Sequence, residues 1–301
     1  MGVADFIKHL KQVVFTCFVF IFLSNAAAAD DSIPNQSAYQ RATTPTQKAT
    51  IDQFRIHGLS AFAKAPQEVL RQWLKTGVNA TRTTLGIYPR PLELYVYPKK
   101  SNQPVPWAHT RRDKHESIHF YVDTQFSLES FVADWTVYHE MAHMAIPFVG
   151  EDYAWFSEGF ASYMQYQIMA QNGMLTLPIE QAYANKIGPQ LKWFQSDSNA
   201  AFIATHLMKK RQFPAAYWGA AWFFVLADTQ LRNKHQLTLT QVISRYQQAG
   251  RRTDDSIQAL LSSLDTLISD TLFNDLLIQF EQQPAHTLYP VDWSEPSQKA
   301  D

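Results

Sequence analysis

The stretch VYHEMAHMAI, residues 137–146, sets two histidines, His139 and His143, four positions apart, with Glu140 directly after the first. On an α-helix, positions four apart lie one above the other. Both imidazoles then project from one side, and each can give a nitrogen to a single zinc ion at about 2.0–2.1 Å. Glu140 stands about 100° further round the helix, outside the ligand set, where a carboxylate can take a proton from water held by the ion. The plainer alternative is a pair of core histidines satisfied by their neighbours.

A catalytic zinc site takes three protein ligands and leaves a fourth position to water. The candidate for the third is Glu158, in YAWFSEGFASY. It is expected to open a second helix, and the connecting segment 144–157 is long enough to fold that helix back against the first. The alternative is a glutamate favouring the positive end of its own helix. Ser162, four positions after Glu158, falls on the same helix face, where its hydroxyl can hold a ligand imidazole by the second ring nitrogen. An ordinary surface serine is the other reading.

These side chains need elements to position them. FSLESFVADWTVYHEMAHMAIP predicts one long helix, capped by Ser127 and stopped by Pro147. Leu128, Phe131, Val132, Trp135, Tyr138 and Ala142 form its apolar face. SEGFASYMQYQIMAQNG predicts the glutamate helix, with Gly173 as a left-handed cap. Upstream, the pattern reads as helical from Ile51, most clearly in APQEVLRQWLKTGVNATRTTLG with Pro66 near its start. PLELYVYP and SIHFYVD alternate as strands, the second either an edge strand beside the cleft or a central one. KKSNQPVPWAHTRRDKHE between them reads as a long surface loop with a solvated charged face. Within this region His109, His115 and His119 fit no metal template, and His206 reads as a packed helix residue. The remainder is mostly helical, so the class is α+β with a small mixed sheet.

The whole chain has 301 residues, 46% hydrophobic and 18% charged, with a formal net charge of −1. Nothing in it predicts a nucleic-acid groove or a polybasic membrane surface. Aromatics at 14% predict a core rich in rings. Lys8 and Lys11, the apolar run Val13–Leu23 and small residues at Ala27 and Ala29 describe a secretory signal peptide over 1–29, followed by a flexible linker over 30–48. The single cysteine, Cys17, lies inside that signal segment, so the exported chain is expected to fold without disulfides, in the periplasm or as a secreted bacterial protein. The alternative is an uncleaved N-terminal anchor, which would then be the only membrane attachment.

HEMAH followed by WFSEGFASY resembles the gluzincin metallopeptidases. It is similar to the membrane alanyl aminopeptidase family in the second segment and to the smaller peptidase-MA-like proteins of bacteria in overall plan. TLGIYPRPLELYVYP and YWGAAWFFVLAD extend the likeness over roughly residues 70–230. The resemblance implies a zincin-like metallopeptidase domain over 49–230, a helical C-terminal extension over 231–283 and an irregular tail over 284–301. It implies one zinc per chain held by His139, His143 and Glu158, with Glu140 as base and a peptide or protein as substrate. It also makes Tyr217 the hydroxyl that steadies the oxyanion, where the residues alone leave it equally readable as one more core aromatic. No G-[AG]-M-E-N-like segment precedes the first motif, and the His143–Glu158 interval is shorter than in the aminopeptidases, so aminopeptidase specificity is not implied. The rival expectation is a zincin-fold binding or scaffold protein of the cell envelope that hydrolyses nothing.

Overall fold

The computed structural model describes residues 54–88, 90–112, 116–250 and 256–293. The signal segment, the linker, His115 and the end of the tail from 294 lie outside the described residues. None of the described helices is long and apolar enough to cross a membrane.

The first element is a strand, β1 Phe54–His57, where the pattern from Ile51 had predicted helix. Four residues are too short a run for periodicity to separate the two, and pairing along β2 decides it. Helix α1, Lys64–Leu85, follows and ends at Gly86, whose φ of 90° suits a residue without a side chain. β2 is Leu92–Pro98, β3 Trp107–Arg112 and β4 Glu116–Val122. The sheet order is β1-β2-β4-β3, parallel except for the antiparallel β3–β4 pair. SIHFYVD is therefore a central strand. The edge is β3, inside the stretch read as a surface loop. Its polar, half-exposed residues hide the strand from a hydrophobic pattern, and antiparallel pairing with β4 supplies what the pattern lacks.

One face of the sheet is apolar and meets α1. Leu92, Leu94, Val96, Ile118, Phe120 and Val122 are buried, and Trp73 of α1 lies edge-on to Phe120 at 5.2 Å. The other face carries cross-strand rows of polar and aromatic groups. Arg55 donates to Glu93 (2.8 Å), and the rings of His57, Tyr95, His119 and His109 stack in succession across all four strands.

The predicted long helix is broken into α2, Leu128–Ala133, and α3, Thr136–His143. Ser127 caps α2 as expected, its hydroxyl accepting from the Ser130 amide. Asp134 then turns to extended backbone (φ −73°, ψ 130°), and its carboxylate accepts from the Thr136 amide at 2.8 Å. A short acid that caps the next turn competes locally with helix continuation. The apolar stripe runs on across the break, which is why periodicity alone missed it.

Helix α4, Ala154–Gln171, begins earlier than predicted, so Glu158 sits in its second turn; Gly173 (φ 69°) follows its end as expected. Then come α5 Ile179–Ile187, α6 Ala200–Lys209, α7 Phe213–Gln230, α8 Leu239–Gln248, α9 Ile257–Ile268, α10 Leu272–Gln282 and the short α11 Ala285–Leu288. A small mixed sheet with many helices is an α+β architecture, as expected. The ring-rich core lies where α4, α7 and α10 meet: Trp155, Phe156, Phe223 and Phe280 are all buried and in mutual ring contact. Within 284–301, Tyr289 is buried too, stacked on Phe194 at 4.3 Å and donating to the Gly219 carbonyl at 3.0 Å.

Two glycines let the site helices approach this closely. A Cβ on Gly77 of α1 would lie 2.6 Å from a Val137 methyl of α3, and one on Gly159 of α4 would lie 2.7 Å from the Ala220 carbonyl carbon of α7. The second obstacle is backbone, which cannot rotate away. Gly159→Ala is therefore expected to lower unfolding stability by about 1–3 kcal/mol, the usual cost of overpacking, read as an earlier midpoint in urea.

Candidate metal centre

α3 is eight residues long, and every one is buried. It carries His139, Glu140 and His143, while α4 brings Glu158 up to them. The Glu158 Oε2 atom lies 3.2 Å from His139 Nε2 and 3.6 Å from His143 Nε2. One ligand atom from each of the three residues falls within 4.8 Å of the others. A tetrahedral ion with bonds of about 2.0–2.1 Å spaces its ligand atoms about 3.3 Å apart, so the donor types suit zinc and the two separations to Glu158 match that spacing. The two imidazoles stand nearly perpendicular (85°) with centroids 4.9 Å apart, so they approach one point from different directions. Among the described residues this is the one group of metal-binding side chains brought together in this way.

Burial and mutual charge tune the four groups. Burial alone would raise the Glu158 carboxyl pKa, but the charge of His143 and the hydrogen bond from His139 outweigh it and hold the group ionised far below the usual carboxylate range. The His139 pKa is raised: burial opposes protonation, while the Glu158 and Glu140 carboxylates favour it. Glu140 goes the other way. Burial pushes its pKa up against the opposing pull of His143 and His139, and Glu158 adds to the rise. Two adjacent carboxylates thus diverge, one fixed as an anion and one made a better proton acceptor.

Tyr217, at the start of α7, joins the same group. Its ring is half-buried and stacks on His139 at 6.2 Å and 19°. Burial, reinforced by Glu158 and Glu140, raises its pKa strongly, so near neutral pH its hydroxyl keeps a proton to donate.

The partner of His139 Nδ1 is Gln165, whose Oε1 atom lies 2.9 Å away. With a carbonyl oxygen there, Nδ1 carries a proton, and Nε2 is the ring nitrogen turned toward Glu158 and the position a metal would take. That bond is made by Gln165 and not by Ser162, although Ser162 is also buried on α4. Gln165 stands two turns after Glu158 on the same face, so one helix supplies both a candidate ligand and the hydrogen bond that holds another. Its signal in the sequence was a glutamine among apolar neighbours at that offset.

The C-terminal end of α3 is held from three sides. Tyr88 donates to the Met141 carbonyl, Arg112 of β3 to the carbonyls of His143 and Ile146 (the latter at 2.8 Å), and Gln247 of α8 to the Ala145 carbonyl at 2.9 Å. Arg112 belongs to the charged run expected to be solvated; it turns inward because helix-end carbonyls need donors. His109 and His119 stack on each other on the sheet face away from α1, and His206 is exposed on α6 beside Phe202, not packed inside.

Comparison with known proteins gives one kind of match. Among solved structures, the chain is similar to an M1 zinc metallopeptidase of Deinococcus radiodurans, in a mutant form bound to the substrate Tyr-Ser-Ala (17% identity, TM-score 0.49, 81% of this chain and 50% of that one). It is similar in the same way to the M1 zinc metallopeptidase from that organism without the mutation (18% identity, TM-score 0.48, the same coverage). A two-domain M1 zinc metallopeptidase mutant bound to L-tryptophan follows at 15% identity and TM-score 0.47, covering 76% of this chain and 48% of that one. The chain thus spans about half the length of the solved structures it matches. No protein-family model and no curated protein matches it.

Gln165→Ala is expected to weaken zinc binding about 10–100-fold, the usual cost of losing the hydrogen bond behind a ligand imidazole. Ser162→Ala should change it by less than about twofold, well below that range. Competition with a chromophoric chelator measures both.

Proposed function

We propose that this chain is an exported, zinc-dependent peptidase of gluzincin type. The observation that carries the reading is the convergence of His139, His143 and Glu158 at zinc-like separations, with the buried carboxylate of Glu140 left over beside them. Zinc, when bound there, supplies a Lewis acid that polarises a carbonyl and brings the pKa of water down to near neutrality.

The chain's own groups do the rest. Glu140 takes the proton from the attacking water and passes it to the leaving amine, and its raised pKa suits both transfers. Tyr217 donates its hydroxyl hydrogen to the oxygen on which negative charge develops. Gln165 keeps the His139 ring from turning. β3 is the sheet edge that lies against α3, and its outer side is unpaired among the described residues. An extended peptide can add along that edge by main-chain hydrogen bonds, which brings its carbonyl groups past the site.

Peptide cleavage is expected to stop when a chelator strips the metal and to return when zinc is restored. Glu140→Gln should lower kcat by at least about 10³-fold with zinc content unchanged, and Tyr217→Phe by about 10²-fold. A chain that binds zinc tightly yet cleaves nothing in a broad peptide mixture would instead be a silent scaffold. Equal cleavage with and without chelator would remove the metal from the reaction altogether.

A further inference from the structure

Two of the large apolar side chains exposed among the described residues sit in ring contact with the candidate metal centre. Trp135 is 48% exposed and Phe213 44% exposed. Trp135 stands edge-on to His139 at 5.4 Å, and Phe213 lies against Tyr217 at 5.8 Å, with Tyr217 in turn stacked over His139. The result is a continuous run of four rings whose middle belongs to the catalytic group and whose two ends face solvent.

The placement follows from the helices. Trp135 precedes His139 by four positions, and Phe213 precedes Tyr217 by four, so each aromatic shares a helix face with a site residue and lies one turn before it. Both helices begin there. The Asp134 break starts α3 just after Trp135, and α7 starts at Phe213 with Pro214 next to it. Neither ring has a core to enter, because the chain changes direction at each.

We infer that Trp135 and Phe213 form an aromatic subsite at the mouth of the metal centre, selecting peptides with a bulky aromatic side chain next to the bond cut. This rests on the peptidase reading above. A flat ring is the occupant these rings suit best, since edge-to-face and offset contacts with Trp and Phe add to the area removed from water. Covering one aromatic side chain in such a subsite corresponds to about 10–100-fold in kcat/KM over alanine.

The test compares matched peptides carrying Phe or Ala at each position beside the cleaved bond, with products identified by mass spectrometry. Wild type should favour Phe over Ala at least about tenfold. In a Trp135→Ala, Phe213→Ala double variant that still holds one zinc per chain, the Phe-to-Ala ratio should fall to within about threefold, while Trp135→Phe should keep the preference. A second readout needs no turnover: in Glu140→Gln protein, tryptophan emission should shift on titration with the Phe peptide, and that shift should vanish with Trp135→Phe. Cleavage without preference, or a preference the double variant retains, overturns the subsite and leaves the peptidase reading standing. An emission shift without any cleavage keeps the subsite and sinks the peptidase reading. Neither cleavage nor shift sinks both.

Discussion

A helix that stops at His143 leaves its last carbonyl groups without partners in the helix, and their satisfaction orders much of what surrounds the site. Met141 and His143 offer such carbonyls, the turn after the helix adds those of Ala145 and Ile146, and Tyr88, Arg112 and Gln247 donate to them. The three donors come from the end of α1, the edge strand and a helix beyond residue 230. Each buried bond left unmade would cost about 1–3 kcal/mol, so the three segments are held in register by the same demand that fixes the ligand helix. The helices after 230 are thereby part of the support of the metal centre. α8 packs on α1 as well as reaching the end of α3.

The second constraint is distance between helices. α3 needs α1 close behind it and α4 needs α7 close behind it, and glycines at the two contacts remove the side chain that would hold them apart. With those contacts set, the position of Glu158 relative to the imidazoles is decided by packing of rings such as Phe156, Phe160 and Phe224. Aromatic side chains have few rotamers and large contact areas, so such a core transmits position well. The cost is that buried polar groups must be fully bonded. Gln165 meets that need and serves the site at once.

Electrostatics then separate groups that are chemically alike. Glu140 and Glu158 are both carboxylates beside the same pair of histidines. Burial is the largest single influence on each, but at Glu158 the charge of His143 and the hydrogen bond with His139 outweigh it and hold the group ionised, whereas at Glu140 the histidines do not and its pKa rises. The opposite pKa directions of the two glutamates are therefore written in their neighbours rather than in their own chemistry.

The shared face of His139 and His143, the carboxylate beside them, the cap at Ser127, the left-handed Gly173 and the α+β class were all legible in the chain, because each follows from residues a few positions apart. A helix repeats every 3.6 residues, so His139 and His143 must share a face wherever that helix lies. What neighbours in space decided was hidden. β1 and β3 are too short or too polar to announce themselves without β2 and β4 to pair with, and the Asp134 break sits inside an unbroken apolar stripe. Arg112 looked like part of a solvated charged face until the end of α3 was there to receive it, and Gln165 proved to be the partner of His139 in place of Ser162. Local geometry set which atoms can ligate; only the packing of distant segments, through unsatisfied carbonyls and close helix contacts, set where those atoms meet.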